Sequence, residues 1–340
     1  MKSRMLEEAS QAPQAMARAL AQDGSAFDAL AAQLRLQPPK AVVTVARGSS
    51  DHAAQYFAYL AMVRLGVAVT SLPMSLFTVH QAPMSPVGVL ALAFSQSGQS
   101  PDLVAPMRYF KNGGARTVAF VNDTASPLAR VAHTVFALHA GAEVSVAATK
   151  SYIAQLLAGA RLVAAWQGDT GLKAALSTLP EALQRALAQD WSAGVEALVD
   201  AQRLFVIGRG TGLPIAQEAA LKFKETCGIQ AEAFSGAEVK HGPMALIGEG
   251  YPLLVFAPRG PAQAGLLDLA DEMRDRGAVV LLAAPPGTPG CNLPLATTGT
   301  EDLDPIAAIQ SFYPMVEALA RARGMNPDTP EFLAKVTRTH

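Results

Sequence analysis

The chain has 340 residues, of which half are hydrophobic and 16% are charged, and its formal net charge is −1. This length predicts two domains that each bury a core, and the near-neutral charge excludes a broad basic surface for nucleic acid, so we expect a small-molecule partner. The two cysteines, Cys227 and Cys291, exclude a disulfide framework, and Glu7 and Glu8 interrupt any signal-peptide pattern, which together favour the cytoplasm. No apolar stretch approaches the roughly 20 residues of a membrane helix.

Predicted helices and near-continuous apolar strands alternate along the chain. Residues 1–36 are predicted to be helical, with a break at Gly24-Ser25. The strands that follow are at 41–46, 87–94, 116–121 and 133–138, and then at 203–208, 252–257 and 278–283. The helices between and after them are at 51–65, 100–112, 147–167 and 304–323. Uninterrupted apolar strands separated by helices indicate an α/β protein with doubly wound parallel sheets.

Two parts of the chain repeat each other at a constant offset. Arg47 and Arg209 each follow an apolar strand and lie 162 residues apart. The same offset, without a gap, aligns Phe94–Gly98 with Phe256–Gly260 and Thr117–Val121 with Val279–Ala283. Three strands in one register predict an internal duplication. The domains we predict are a helical leader at 1–24, a first domain at 25–170, a second domain at 171–323 and a tail at 324–340.

The loop after the strand at 87–94 has the composition of an anion site. It reads Ser95-Gln96-Ser97-Gly98-Gln99-Ser100 and leads directly into a helix. Free backbone N–H groups and the positive end of the helix dipole converge at such a junction, so the loop predicts a phosphate site that needs no metal. An ordinary N-cap with spare serines is the alternative that this loop alone leaves open. The repeated loop has Ala257 and Pro258, which lack side-chain donors, so only the first copy is expected to hold phosphate there.

Nucleotide binding is disfavoured by the same junctions. The G-x-G-x-x-G pattern is absent, since Gly208-Arg209-Gly210-Thr211-Gly212 has the wrong spacing. The sequence also lacks a G-x-x-x-x-G-K-[ST] loop for a nucleoside triphosphate. We therefore expect a small phosphorylated ligand, with no metal and no cofactor.

Four motifs carry a family resemblance when taken together. They are Arg47–Ser50, Ser95–Ser100, Ala140–Lys150 and Glu238–Pro243. The combination resembles the sugar isomerase (SIS) superfamily, and within it the isomerase half of glucosamine-6-phosphate synthases and stand-alone deaminases and phosphosugar isomerases. The resemblance implies two flavodoxin-like halves, a sugar 6-phosphate ligand, and a phosphate cradle formed by Ser50, Ser95, Gln96, Ser97 and Ser100. It also implies sugar contacts at Ser49, Val146 and Ala148, and family members often carry serine in place of Ala148, so that hydroxyl contact is missing.

Catalytic groups are expected in the second copy. Lys222 and Glu225 are three residues apart in a helical segment and share a face, and a neighbouring ammonium keeps a carboxylate ionised and able to accept a proton. From spacing alone, an exposed ion pair is the commoner arrangement. The resemblance implies that Glu225 is the proton-transfer base with Lys222 beside it, and that His241 opens the sugar ring from the partner subunit of a homodimer. It further implies that Lys335, in the tail, forms a Schiff base with the open-chain ketose.

The reaction remains open among related chemistries. A synthase needs a glutaminase domain with an N-terminal cysteine, whereas this chain starts Met1-Lys2-Ser3 with a short helical leader, so we expect no glutaminase activity. The leading hypothesis is deamination of an amino sugar 6-phosphate to a ketose 6-phosphate and ammonia. The alternatives are aldose–ketose isomerisation without ammonia release, deglycation of fructosamine phosphates, and a sugar-phosphate sensor. A sensor would more naturally carry a fused helix-turn-helix domain and lack the acid–base residues.

Overall fold

The computed structural model of the chain describes residues 2–335, and within them ten strands form two sheets of five strands each. The first sheet contains β1 (Ala41–Val45), β2 (Val69–Ser71), β3 (Val89–Ser95), β4 (Arg116–Val121) and β5 (Thr134–Ala137). The second contains β6 (Arg203–Gly208), β7 (Gln230–Ser235), β8 (Pro252–Phe256), β9 (Val279–Ala284) and β10 (Leu293–Pro294). The order is β2-β1-β3-β4-β5 in the first sheet and β7-β6-β8-β9-β10 in the second, with every neighbouring pair parallel. The predicted pair of doubly wound parallel sheets is confirmed.

Helices connect the strands throughout. The first eight are α1 (Arg4–Ser10), α2 (Ala12–Leu20), α3 (Gly24–Leu36), α4 (Ser49–Leu65), α5 (Ser75–Thr78), α6 (Pro101–Asn112), α7 (Pro127–Val131) and α8 (Lys150–Gln167). The next six are α9 (Thr170–Ser177), α10 (Leu179–Leu187), α11 (Ser192–Leu198), α12 (Leu213–Cys227), α13 (Gln263–Asp275) and α14 (Asp304–Ala322). No helix among the described residues is long and apolar enough to span a membrane.

The predicted duplication is visible in the sheet register, with one correction. The pairing of β1 with β2 and with β3 recurs in β6 with β7 and with β8 at the offset of the repeat. The next pair departs from it, because Leu90 faces Arg116 in the first sheet whereas Pro252 faces Val279 in the second. The gapless alignment of Thr117–Val121 is therefore wrong by one residue. The second copy has one extra residue between β8 and β9. The helix there, α13, has 13 residues, whereas its counterpart α6, between β3 and β4, has 12.

The chain forms two compact units, each built around one sheet. The first-sheet unit contains Gln14–Glu143, Lys150–Ser177 and residues 334–335. The second-sheet unit contains Val144–Thr149, Thr178–Leu333 and the described residues up to Pro13. The short loop at 144–149 therefore belongs with the second sheet although it follows β5 along the chain.

Each unit has an aromatic core against its own sheet. In the first-sheet unit, Phe27 stacks on Phe136 with ring centroids 4.0 Å apart, and Phe120 packs on Phe94 at 4.8 Å. In the second-sheet unit, Phe312 of α14 packs on Phe223 of α12 at 5.1 Å. Burying each of these rings contributes about 1.5–3 kcal/mol, and the contact of Phe312 with Phe223 packs α14 against α12, the helix that carries Lys222 and Glu225.

Three of the four edge strands were missed by the sequence analysis. β2, β7 and β10 are short or half-exposed, so none has the continuous apolar run that predicts a buried strand. The break between the leader helices lies before the predicted position, Gly24-Ser25. Asp23 adopts a left-handed conformation (φ 60°), and α3 already begins at Gly24.

Candidate active site

The serine loop is a tight turn at the carboxyl edge of the first sheet. It connects β3 to α6, and Ser95, the buried last residue of β3, accepts the backbone N–H of Gly98 on its Oγ at 3.0 Å. Ser97 Oγ accepts the N–H of Gln99 at 3.3 Å. Gly98 has φ 62°, and a Cβ there would lie 2.2 Å from Ser126 Oγ, so only glycine fits. A hydroxyl that accepts a hydrogen bond still has its own O–H to donate, so the turn keeps serine donors for an anion.

A second helix start lies beside this loop because β1 and β3 are neighbours. The loop after β1 places Ser49 and Ser50 in the first turn of α4. Arg47 ties the two junctions together, since its Nε donates to the buried Asp102 carboxylate in the first turn of α6 at 2.9 Å. Two helix N-termini and their hydroxyl residues thus share one edge, which is the geometry of an anion site.

The matching loop in the second sheet has a different structure. Arg259 donates to Asp304 at 2.7 and 2.9 Å and to the carbonyl oxygen of Thr298 at 2.8 Å. The hydrogen bond to Asp304 raises the pKa of the Arg259 guanidinium. This loop is closed by its own ion pair and carries no hydroxyl at its start, which agrees with the prediction that the two copies have diverged.

The predicted Lys222–Glu225 pair lies on α12 and is not a surface ion pair. Lys222 has a side chain only 1% exposed, and its Nζ lies 2.5 Å from Glu225 Oε2 and 3.3 Å from Glu218 Oε1. Burial lowers the pKa of the Lys222 ammonium, but the two carboxylates outweigh burial and raise it overall. Glu225 is 21% exposed, whereas Glu218 is fully buried. Glu225 is therefore a partly exposed carboxylate whose ion-pair partner, the Lys222 ammonium, is buried.

His241 lies in an exposed loop of the same unit. It follows a 3₁₀ turn at Glu238–Lys240, and its backbone N–H donates to the carbonyl oxygen of Glu238 at 2.9 Å. Gly242 then takes φ 134°, a conformation that favours glycine, before a second 3₁₀ turn at Pro243–Leu246. The imidazole is thus presented on a short, conformationally defined loop.

The loop at 144–149, which carries Val146 and Ala148, is fixed by both ends of the second-sheet unit. Glu8 of α1 is buried, and its carboxylate accepts hydrogen bonds from the backbone N–H groups of Val144 and Ser145 and from Ser145 Oγ. Val146 N–H donates to the carbonyl oxygen of Asp328 at 3.1 Å. The Asp328 carboxylate in turn accepts the N–H groups of Arg4 and Met5 at 3.0 and 2.8 Å, so α1, the loop and the chain after α14 form one closed network.

Lys335, the last described residue, contacts a buried carboxylate of the first-sheet unit. Its Nζ donates to Glu143 Oε2 at 3.1 Å, and its side chain is 22% exposed. Glu143 also accepts the N–H and the Oγ–H of Ser151, in the first turn of α8. The predicted tail lysine is thus docked at a helix N-terminus that already favours a carboxylate.

The candidate residues form two groups, one in each unit. The first-sheet unit holds Ser49, Ser50, Ser95, Gln96, Ser97, Ser100 and Lys335. The second-sheet unit holds Val146, Ala148, Lys222, Glu225 and His241. Within residues 2–335, no three His, Cys, Asp or Glu side chains are grouped to hold a metal ion.

Three buried glutamates were missed by the sequence reasoning. Glu218 had a local signal, since it lies four residues before Lys222, which is the favourable i,i+4 order for a Glu–Lys pair. Glu8 had none, because its partners Val144 and Ser145 lie far away in the chain. Glu143 lies within the motif Ala140–Lys150, but its ion-pair partner Lys335 is equally remote. Only the folded chain identifies them.

Comparison with known proteins assigns the family. The model of the SIS domain family matches residues 35–165 and 197–290, one match for each sheet, and the chain belongs to this family. A curated relative, the glutamine–fructose-6-phosphate aminotransferase (isomerizing) of Methanothermobacter thermautotrophicus, is 34% identical over 301 residues, covering 86% of this chain and 50% of the relative. The chain thus spans about half the length of the curated relatives it matches.

Solved structures share the whole architecture. A candidate phosphosugar isomerase from Silicibacter pomeroyi DSS-3 superposes with a TM-score of 0.91 at 45% identity, over 96% of this chain and 100% of that one. The glucosamine-6-phosphate deaminase of Thermotoga maritima superposes with a TM-score of 0.79 at 20% identity, over 99% and 100%, which shows the fold alone.

Proposed function

We propose that the chain deaminates an amino sugar 6-phosphate to a ketose 6-phosphate and ammonia. The observation that carries the proposal is the partly exposed Glu225 carboxylate held 2.5 Å from the buried Lys222 ammonium. A carboxylate that is paired with a buried ammonium and reaches solvent from an otherwise buried helix face suits proton transfer on a bound substrate. The serine loop supplies hydrogen-bond donors for the 6-phosphate of such a substrate.

Each group then has one step in the reaction. His241 moves a proton between the ring oxygen and the C1 oxygen, which opens the ring to the aldehyde. Glu225 takes the proton from C2 and returns one to C1, and a second proton passes from the C2 nitrogen to the C1 oxygen. Together these transfers convert the C1 aldehyde and C2 amine into a C1 alcohol and a C2 imine. Water adds to the C2 imine and expels ammonia, which leaves the C2 ketone. Alternatively the Lys335 amine expels ammonia first, and one water then hydrolyses the lysine imine to the C2 ketone and frees the lysine.

Removal of an amino group is favoured by the names of the curated relatives. The relative described above is named for aminating fructose 6-phosphate, and 86% of this chain matches it. Deamination is the reverse of that amination and needs the same proton transfer between C1 and C2. Aldose–ketose isomerisation is the second candidate, because the structure that is 45% identical is described as a candidate phosphosugar isomerase.

One assay separates the two candidates. A panel of amino sugar 6-phosphates is incubated with the protein while ammonia and ketose phosphate are both measured. The proposal expects the two products in equal amounts from at least one substrate. Ketose formation from aldose phosphates, with no ammonia from any amino sugar phosphate, would replace deamination by isomerisation.

We also propose that the active form is a homodimer in which His241 serves the partner's site. The exposure of the His241 loop supports this arrangement. Glu225→Gln and His241→Asn chains are each expected to be inactive alone. Mixing them under conditions of verified subunit exchange should restore activity, because one site of each heterodimer receives both intact groups. Exchanged heterodimers without activity would place both residues in one chain's site.

A further inference from the structure

Glu218 is the carboxylate on α12 that the mechanism does not use. It is fully buried, so it cannot contact a substrate, yet its Oε1 lies 3.3 Å from Lys222 Nζ. Lys222 therefore sits between two carboxylates of one helix, one buried and one that reaches solvent. An unpaired ammonium is very costly to bury, so a lysine whose single partner is partly exposed would gain by following that partner toward water.

We propose that Glu218 is a positioning residue that anchors the Lys222 ammonium behind Glu225 and so keeps Glu225 in place for proton transfer. The inference rests on the proposed function, because it assigns Glu218 a part in the same proton transfer. Its contribution passes entirely through Lys222. It is therefore separate from phosphate binding by the serine loop.

The charged groups on the elements packed against α12 have other partners or lie in solvent. Arg203 of β6 lies over the Tyr251 ring, and Glu232 of β7 is exposed. On α14, Glu317 pairs with Arg321, and Asp304 pairs with Arg259. Arg323, just after α14, donates to the carbonyl oxygen of Cys227. The charges that act on Lys222 are those of Glu218 and Glu225.

The direction of the pH effect follows from burial. The two carboxylates raise the pKa of Lys222 against the opposing effect of burial, so the ammonium persists far into alkaline solution. Neutralising Glu218 removes one of the two favourable charges and leaves burial unchanged. Lys222 then loses its proton at a lower pH, so activity should begin to fall at a lower alkaline pH than in wild type.

The test compares Glu218→Gln with wild type in a full pH profile. We expect kcat at neutral pH to fall about 10–100-fold with KM nearly unchanged, as for a misplaced catalytic group. We also expect the alkaline limb of the profile to move down by about 1–3 pH units, the usual effect of one adjacent charge. Wild-type kcat and a wild-type alkaline limb in the folded variant would overturn the inference.

Glu317→Gln is the matched control. Glu317 is also 1% exposed and also pairs with a cation four residues away on its helix, since it lies 3.0 Å from Arg321. Arginine keeps its charge throughout the accessible range, so this variant should leave both kcat and the alkaline limb unchanged. Equal losses of kcat in both variants, with no movement of either limb, would reduce Glu218 to a structural residue.

A further variant covers the case in which Glu218→Gln does not fold. Glu218→Asp keeps the charge but moves it away from Lys222 by one methylene, so the alkaline limb should shift in the same direction by less. An unmoved limb would overturn the inference. Failure of the proposed function is distinguishable, because wild type would then turn over no sugar phosphate and yield no profile at all.

Discussion

Lys335 Nζ lies 3.1 Å from the buried carboxylate of Glu143, which also accepts the N–H of Ser151 at 3.1 Å. The contact joins the end of the described chain to the N-terminus of α8. If Lys335 forms a Schiff base, the proton that it releases has an acceptor already in contact.

Glu143→Gln should therefore slow imine formation. The amide presents N–H groups where Ser151 and Lys335 donate, so the docking of Lys335 weakens. We expect borohydride trapping of the ketose phosphate on Lys335 to fall about tenfold or more in Glu143→Gln, since one hydrogen bond to a charged group contributes about 1.5–3 kcal/mol. Mass spectrometry of the trapped peptide measures how much ketose phosphate is bound to Lys335, and Lys335→Met, which has no amine there, gives the background. Undiminished trapping in Glu143→Gln would show that Glu143 does not assist Lys335.

The serine loop should determine the affinity for phosphate. Ser95→Ala combined with Ser97→Ala removes two hydroxyl donors, and each lost hydrogen bond to a charged group costs about 1.5–3 kcal/mol. We expect KM for sugar 6-phosphates to rise strongly while kcat changes little. Ser177→Ala, an exposed serine of α9 that donates to its own helix at 2.6 Å, is the control. An unchanged KM in the double variant would remove this loop as the phosphate cradle.

Glu8 should be needed to order the loop at 144–149. Its carboxylate accepts the backbone N–H groups of Val144 and Ser145 and one hydroxyl, and Gln would place an amide against those donors. We expect Glu8→Gln to lower the free energy of unfolding by about 1.5–3 kcal/mol and to raise KM, because Val146 lies in that loop. Glu7, its exposed neighbour on α1, provides the control Glu7→Gln. Equal stability and KM in the two variants would contradict the role of Glu8.

Sequence reasoning succeeded where the signal is local. Apolar runs located the interior strands, and the composition of the loop after β3 identified a helix start with serine hydroxyls. It missed the three edge strands β2, β7 and β10, and it could not see that Lys222 is buried, since burial depends on how α12 packs against α14 and β7. Contacts between residues far apart in the chain, such as Glu8 with Ser145, leave no trace in spacing or periodicity.

Cys227 should be inert in the native protein. Burial raises the pKa of its thiol to about 11, and only the thiolate reacts with alkylating agents. Iodoacetamide at pH 8 should modify the half-buried Cys291 and leave Cys227 unmodified until the chain is denatured, as peptide mass spectrometry will show. Modification of native Cys227 at the rate of the denatured chain would contradict this.

The same shift predicts a loss of stability at high pH. The thiol's pKa is higher in the folded chain, so as pH rises the unfolded chain loses this proton first, from roughly pH 8.5. The free energy of unfolding should therefore fall between that pH and about 11, where the folded thiol titrates. Denaturant titrations should show a smaller fall in Cys227→Ser. An identical pH dependence in both proteins would contradict the assignment to Cys227.

We propose above that Glu225 carries a proton between C1 and C2 of an open-chain sugar phosphate. The most direct measurement is NMR of the reaction of glucosamine 6-phosphate in heavy water, comparing wild type, Glu225→Gln and the exposed-residue control Glu232→Gln. We expect solvent deuterium at C1 of the ketose product with wild type and control, and a rate lower by about 10²–10⁴ with Glu225→Gln, whose KM is retained. Deuterium incorporation by Glu225→Gln at the wild-type rate would contradict it.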